Sequence, residues 1–364
     1  MAIIYENFHR HLEQKQGNKT RGRSITPNDT LKRLHDDFIF EAEGNHKTEE
    51  TIRSYEKHFN KLYEFVGYYS METQQDYEES REECRTVGKN APISVLDMEN
   101  IAAHYHQYLE KVCYPPLKEQ TIITCMRNFR VILYWAMKKK LIEKQDITVK
   151  AIEPPIKQTF TQEEIYKLTR KRPDENDLVA YRNWVMIQYL MATGNRIGSV
   201  LALNVEDVDF ENNEIHVQHT KSRKPQIAAL PTKLKPHLAN WIRVWRSDED
   251  GVPLYNTPLF CNVYGERLAL KSASDSMRDY FTARRVAWEG FHKFRHSYAA
   301  NWIRDGGDSL KLKTQLGHSS LVMTNRYANL YGKAVADDVE KHSLISKVKI
   351  TNGRKKLNPN TNKE

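Results

Sequence analysis

Two histidines, an arginine and a tyrosine recur in the stretch FHKFRHSYAANWIRDGGDSLKLKTQLGHSSLVMTNRYANLY at spacings that helix packing alone does not require. His292 and Arg295 stand three residues apart, which on a helix puts them on one face, a turn from each other. Phe294, Tyr298 and Trp302 form the adjoining apolar stripe that anchors this helix. Gly306-Gly307 ends it, Asp308 or Ser309 caps the next helix, and Gly317 stops that one in turn. His318 therefore opens a turn, Ser319 and Ser320 can cap the segment after it, and Tyr327 comes nine residues after His318. An electrophile held by Arg295 can be met by that phenol.

The elements that must position these groups fill a chain of 364 residues, more than one core usually serves, so two domains with tails are expected. The longest uninterrupted apolar run, Val131 to Met137, is far short of a membrane span, and the first residues carry charges where a signal peptide would be apolar. Cys84, Cys113, Cys125 and Cys261 show no paired spacing for zinc and fit a reducing cytoplasm. A net charge of +9 fits a polyanion partner, provided that the surplus is clustered among 47 acidic residues.

Residues 1–25 read as a flexible, weakly basic arm. From 26 to 141 the periodicity is helical: Leu31, Leu34, Phe38 and Phe40 in Thr30 to Ala42, then Ile52, Tyr55, Phe59, Leu62 and Phe65 in Thr48 to Val66. Helices continue at Asp97 to Val112 and Lys118 to Lys140, the last with Ile122, Met126, Phe129, Val131, Leu133 and Trp135 as core. The acidic run from Glu72 to Glu83 reads as a solvated loop that would repel phosphate. Pro154-Pro155 marks a linker at 142–158. Beyond it, Thr161 and Glu164 form a capping box, Asp177 to Thr193 is a helix stopped by Gly194, and Arg196 opens a short helix. Asp207 to Leu230 alternates with period two around turns at Asn212-Asn213 and Lys221 to Pro225, which predicts a small antiparallel sheet. Thr232 to Arg246 and Lys271 to Ala287 return to helix. Lys333 to Ser346 can form one more, and 347–364 reads as a disordered basic tail.

Taken together, the segments TGNRIGSVLAL with Arg196, HTKSRK with Lys221, HKFRH with His292 and Arg295, LGHSS with His318, and TNRYANL with Tyr327 resemble the tyrosine recombinase, or phage integrase, family. The order matches, and so do the intervals of 25 residues from Arg196 to Lys221 and 23 from Arg295 to His318. One motif such as HxxR is weak; five in order are specific. The resemblance implies a mainly α fold with a small antiparallel sheet: an N-terminal helical core-binding (SAM-like) domain at 26–141 and an α+β catalytic domain at 159–346.

It further implies a site-specific DNA recombinase or integrase that cuts and rejoins DNA through a 3′-phosphotyrosyl link and a four-way junction. Cleavage of a phosphodiester by a side chain builds negative charge on the nonbridging oxygens, which the forked, permanently charged Arg196 and Arg295 suit. Tyr327 is a poor nucleophile at its usual pKa near 10 and needs a base. The resemblance assigns that role to His292, the proton for the leaving 5′ oxygen to Lys221, and a phosphate hydrogen bond to His318. No metal or nucleotide cofactor is implied by this scheme. The implied partners are duplex DNA carrying specific sites, a homotetramer on DNA formed from monomers, with Lys333 to Ser346 packing on a neighbour, and an accessory directionality protein. Nothing points to a membrane, and a cytoplasmic, nucleoid-associated location is expected.

Plainer readings stand beside these. Arg196 can be a helix-start residue paired with Glu206 or Asp207. Lys224 competes with Lys221, Tyr331 with Tyr327, and Tyr298 reads as core. His292 and His318 can be structural, and His296 is packing or an outer partner. Ser199 stands where the family often has an acid, and Asn329 where it commonly has a histidine. Extra length before the helical unit and the acidic run favour an enzyme of a phage, transposon or other mobile element over a minimal chromosome-dimer resolvase. A type IB topoisomerase or telomere resolvase shares the cleavage step, and a noncatalytic DNA-binding regulator shares the scaffold.

Overall fold

The computed structural model describes residues 24–71, 77–149, 158–218 and 225–317. The N-terminal arm up to residue 23, Pro154-Pro155, the tip at 219–224, the expected helix Lys333 to Ser346 and the tail lie outside the described residues. The chain divides into two compact units, Met1–Pro155 and Ile156–Glu364. Among the described residues no helix is long and apolar enough to cross a membrane.

The first unit is built of helices α1 (Leu31–Gly44), α2 (Glu49–Ser70), α3 (Tyr77–Asn90), α4 (Ile101–Lys111) and α5 (Glu119–Lys138). Thr30 and Thr48 cap α1 and α2 by accepting from the backbone N–H three residues on. Phe38, Phe59 and Trp135 meet edge to face, with ring centres 5.4 to 5.6 Å apart, and join α1, α2 and α5. Two residues expected in this core are outside it, Phe40 at 78% exposure and Val131 at 41%. Each lies two positions from a buried phenylalanine, about 200° around the helix, and so faces away. The stretch read as linker begins in this core, because Ile142 and Ile147 are buried with it.

The acidic run is not a solvated loop: from Tyr77 onward it is helix α3. That helix runs antiparallel to α2 at backbone contact. A Cβ on Gly67 would lie 1.9 Å from the Cys84 carbonyl oxygen, and one on Gly88 would lie 2.1 Å from that of Tyr63. Glu64, 1% exposed, is the reason that arginines sit among the acids. Its carboxylate accepts from Lys61 at 2.8 Å, Arg81 at 2.9 Å and Arg85 at 2.7 Å.

In the same unit His35 stacks on Phe59 at 4.2 Å and shares a 2.9 Å hydrogen bond with the Tyr63 hydroxyl. Burial, and after it the Lys32 charge, pushes its pKa from 6.5 down to about 4. Above pH 6.5 the ring is neutral in both folded and unfolded chains, and its contribution is complete. Between pH 6.5 and about 4 the unfolded chain takes up a proton that the folded one refuses, so stability falls with pH. Urea midpoints at pH 7 and pH 5 should differ less for His35→Phe than for the wild type. Equal differences would show that another group controls the acid response.

The second unit surrounds α7 (Leu178–Thr193), which is largely apolar and mostly buried, with the buried Arg182 and Asn183 hydrogen-bonded to Cys261 and Ser276. Around it pack α6 (Gln162–Thr169), α9 (Lys235–Trp245), α10 (Leu270–Ala283) and α11 (His292–Arg304). The short α8 (Ile197–Ala202) comes after α7, and α12 (Ser309–Leu316) after α11. The capping box at Thr161 and Glu164 is formed, Asp177 caps α7 and Gly194 ends it. The sheet has the order β1-β2-β3, with β1 Val208–Asp209, β2 Glu214–Val217 and β3 Gln226–Ala229, all antiparallel. Ile215, Val217 and Ala228 turn inward, while Glu214 and His216 stay partly exposed. The fold class is the expected one, mainly α with a small antiparallel sheet.

Candidate active site

Arg196, His292 and Arg295 lie within the described residues; Lys221, His318, Tyr327 and the rival Tyr331 do not, nor does Asn329. Two turns of the second unit converge on one guanidinium. Arg295, on α11 and 5% exposed, donates from Nη1 to the Gly194 carbonyl at 3.1 Å and from Nη2 to the Leu316 carbonyl at 2.7 Å. Gly194 is two residues before Arg196, and Leu316 is two before His318. The family-like segments around Arg196, Arg295 and His318 are therefore tied at the backbone through one side chain.

Gly194 has a physical requirement for glycine. Its φ of 65° lies in the left-handed region, and a Cβ there would fall 2.6 Å from the Tyr298 ring and 2.8 Å from Leu316. Tyr298 fills this junction, with its hydroxyl pKa raised by burial.

Arg196 takes the N-cap position of α8, with extended backbone and no side-chain cap bond. It is half-buried, and burial lowers its pKa from the ordinary 12.5. Its proposed acidic partners are engaged elsewhere. Glu206 accepts from Asn204 at 3.2 Å and from the Asn256 N–H at 2.8 Å, and Asp207 accepts from the Asn204 N–H at 2.8 Å. Among the described residues the partly desolvated Arg196 guanidinium forms no ion pair.

His292 opens α11 and is exposed, its ring centre 6.3 Å from that of His296. Lys293, beside it and 5% exposed, is turned away to Glu289 at 2.7 Å and Glu164 at 3.4 Å. The face thus alternates between a solvent-facing imidazole and a buried guanidinium one turn later.

Two supporting residues had no signal in the motif spacing. Arg267 donates to the carbonyls of Leu201 at 2.8 Å and Leu203 at 3.4 Å and to Asn204 Oδ1 at 2.7 Å. It closes the end of α8 opposite Arg196, the helix in which Ser199 replaces the family's frequent acid. Gln226 does the same for α12. Among the described residues no cluster of three or more His, Cys, Asp or Glu could hold a metal ion.

Comparison with known proteins places the chain beside tyrosine recombinases. A model described as the phage integrase family matches residues 158–333, which span all six candidate residues. A tyrosine recombinase XerC from Chlamydia pneumoniae is 26% identical over 249 residues, covering 66% of this chain and 75% of that protein. A second XerC, from Chlamydia caviae, is 28% identical over 186 residues, covering 50% of this chain and 56% of its own length. Among solved structures, the Tn1549 transposon integrase in complex with transposon right end DNA superposes with a TM-score of 0.60 at 18% identity, covering 86% of this chain and 99% of the other.

Proposed function

We infer, from a domain at residues 158–333 that belongs to the phage integrase, or tyrosine recombinase, family, that this chain is a site-specific DNA recombinase. The observation that carries the reading is Arg196, a half-buried guanidinium without a carboxylate among the described residues, beside the turn that Arg295 fastens. A phosphodiester is an anion that the forked guanidinium of Arg196 suits.

In the cleavage step the Tyr327 oxygen attacks phosphorus and its proton passes to His292. The bond from phosphorus to the 5′ oxygen breaks, and that oxygen takes a proton from Lys221. Arg196, Arg295 and His318 hold the nonbridging oxygens as charge develops on them. The 3′-phosphotyrosyl product keeps the bond energy, and a 5′ hydroxyl from another strand reverses the step. Four protomers on two sites exchange strands in pairs through a four-way junction, with Lys333 to Ser346 packing on a neighbour and an accessory protein setting direction. A mobile-element enzyme is the finer reading, supported by the length of chain before the helical unit. The acidic run no longer supports it, because from Tyr77 onward it is helix α3 of the first unit rather than a loop. The name XerC on the two relatives favours chromosome-dimer resolution instead.

A suicide substrate nicked beside the cleavage position tests the chemistry. The wild-type chain should give a covalent protein-DNA band, Tyr327→Phe should give none, and Tyr331→Phe should keep it. Failure of the wild type on every site tried would leave a DNA-binding regulator. Relaxation of any supercoiled plasmid without a second site would point to a topoisomerase.

A further inference from the structure

Helix α11 begins without the devices that usually hold a first turn. Phe291, at its N-cap position, makes no side-chain cap hydrogen bond, and the first turn carries no acidic residue. It carries a lysine instead. A cation there opposes the helix dipole, and Lys293 is also 5% exposed, so two unfavourable placements meet in one side chain. Both are answered from outside the helix. The ammonium donates to Glu289 at 2.7 Å, in the turn before α11, and to Glu164 at 3.4 Å, on α6. It also stands 4.6 Å from the centre of the Phe160 ring.

We infer that Lys293 is a positioning residue: by anchoring the first turn of α11 to α6 it fixes the direction in which His292 points. This rests on the recombinase reading, in which His292 takes the proton of the nucleophile. Successive residues project about 100° apart on a helix, so a lysine locked inward leaves the histidine beside it facing out, and His292 is exposed. Arg295 is fastened separately, to the Gly194 and Leu316 carbonyls. Loss of the ammonium therefore loosens the first turn and the imidazole on it, while the guanidinium one turn on stays in place. Misplacement of a reacting group by about 1 Å is enough to cost roughly 100-fold in rate. The helix itself stays docked. The Ser297 hydroxyl donates to the Lys293 carbonyl at 2.8 Å and accepts from the Phe160 N–H at 2.8 Å, a tie to the start of α6 that does not use the ammonium. The side chains of Glu164 and Glu289 are 25% and 44% exposed and can hydrate when their partner is gone. The loss therefore falls on rate rather than on folding.

The test is a double-mutant cycle in single-turnover cleavage of the nicked substrate by the full chain, with Tyr327→Phe as the blank. Lys293→Met keeps the length of the side chain and removes the charge. It should slow cleavage on the order of 10-fold to 100-fold and leave DNA affinity and melting temperature unchanged. Lys293→Arg, which can donate to both carboxylates, should recover most of the rate. His292→Ala should be slower by roughly 100-fold to 10000-fold, and adding Lys293→Met to it should cost no more than roughly a further 2-fold. A lysine that only stabilises the fold would cost the same factor with or without the histidine. That result overturns the inference alone, as does an unchanged rate for Lys293→Met, a loss of DNA affinity that accounts for the slower rate, or a folded Lys293→Arg chain as slow as Lys293→Met. A His292→Ala chain as fast as the wild type overturns the role of His292 and the inference with it. No covalent product from the wild type would overturn the recombinase reading itself.

Discussion

Arg295→Lys is expected to lower the single-turnover rate of DNA cleavage by on the order of 100-fold to 1000-fold, although the charge is retained. An ammonium is a point donor and cannot bridge two carbonyls while also presenting a forked edge to a phosphate. In the wild type the guanidinium already donates at 3.1 Å to Gly194 and at 2.7 Å to Leu316. Lysine can satisfy one of these, and the other carbonyl is left buried, at a cost of about 1–3 kcal/mol. Rate and melting temperature should therefore both fall, with the rate falling further than a loss of folded chain explains. A variant that melts earlier but cleaves normally once folded would restrict Arg295 to a structural role. The comparison with Arg196→Lys is informative, because Arg196 holds no backbone carbonyl among the described residues and should lose rate without losing stability.

The second large effect concerns Glu64, and its sign depends on which partner is removed. Replacing Arg81 and Arg85 together by methionine leaves a carboxylate that is 1% exposed with Lys61 as its remaining described cation. Removing most of the compensation of a buried charge destabilises, by up to the about 3–5 kcal/mol of a fully stranded one. Glu64→Met should be milder, since the side chains of Lys61, Arg81 and Arg85 are 17%, 40% and 28% exposed and can hydrate. With all three of Glu64, Arg81 and Arg85 changed to methionine, stability should return most of the way to the wild type. Chemical unfolding of the full chain, monitored by circular dichroism, ranks the variants. A Glu64→Met chain weaker than the double arginine variant would refute the proposed asymmetry.

Much of the second unit was legible because its signals are local. The capping box at Thr161, Asp177 before α7, Gly194 after it and Gly317 after α12 are each decided by a few neighbouring residues. The alternation in β2 was equally direct. The acidic run was misread because its arginine pairs with Glu64, which lies in the preceding helix. Charge density in a window argued for solvent, whereas the decisive partner lay outside the window. Phe40 was misplaced for a related reason: hydrophobicity gives membership of a core only when the angular position on the helix agrees. Of the candidate site residues, His292 and Arg295 were singled out by residue type and spacing, and Arg196 by the family resemblance. Arg267 and Gln226 were not, because they act on backbone carbonyls far away in sequence, and a carbonyl carries no residue identity for a motif to record.

The paired glycines of the first unit have a consequence for how that unit can vary. Gly67 faces Cys84 and Gly88 faces Tyr63, so the two contacts fix a single registration of one rod along the other. A slide of one helical turn, about 5.4 Å, would bring a side chain onto each bare stretch of backbone and push the rods apart. Changes to the seam must therefore arrive in compensated sets, whereas the outward faces of both rods can drift one residue at a time. New binding preferences in this unit should accordingly be written on its exterior, over an unchanging spine.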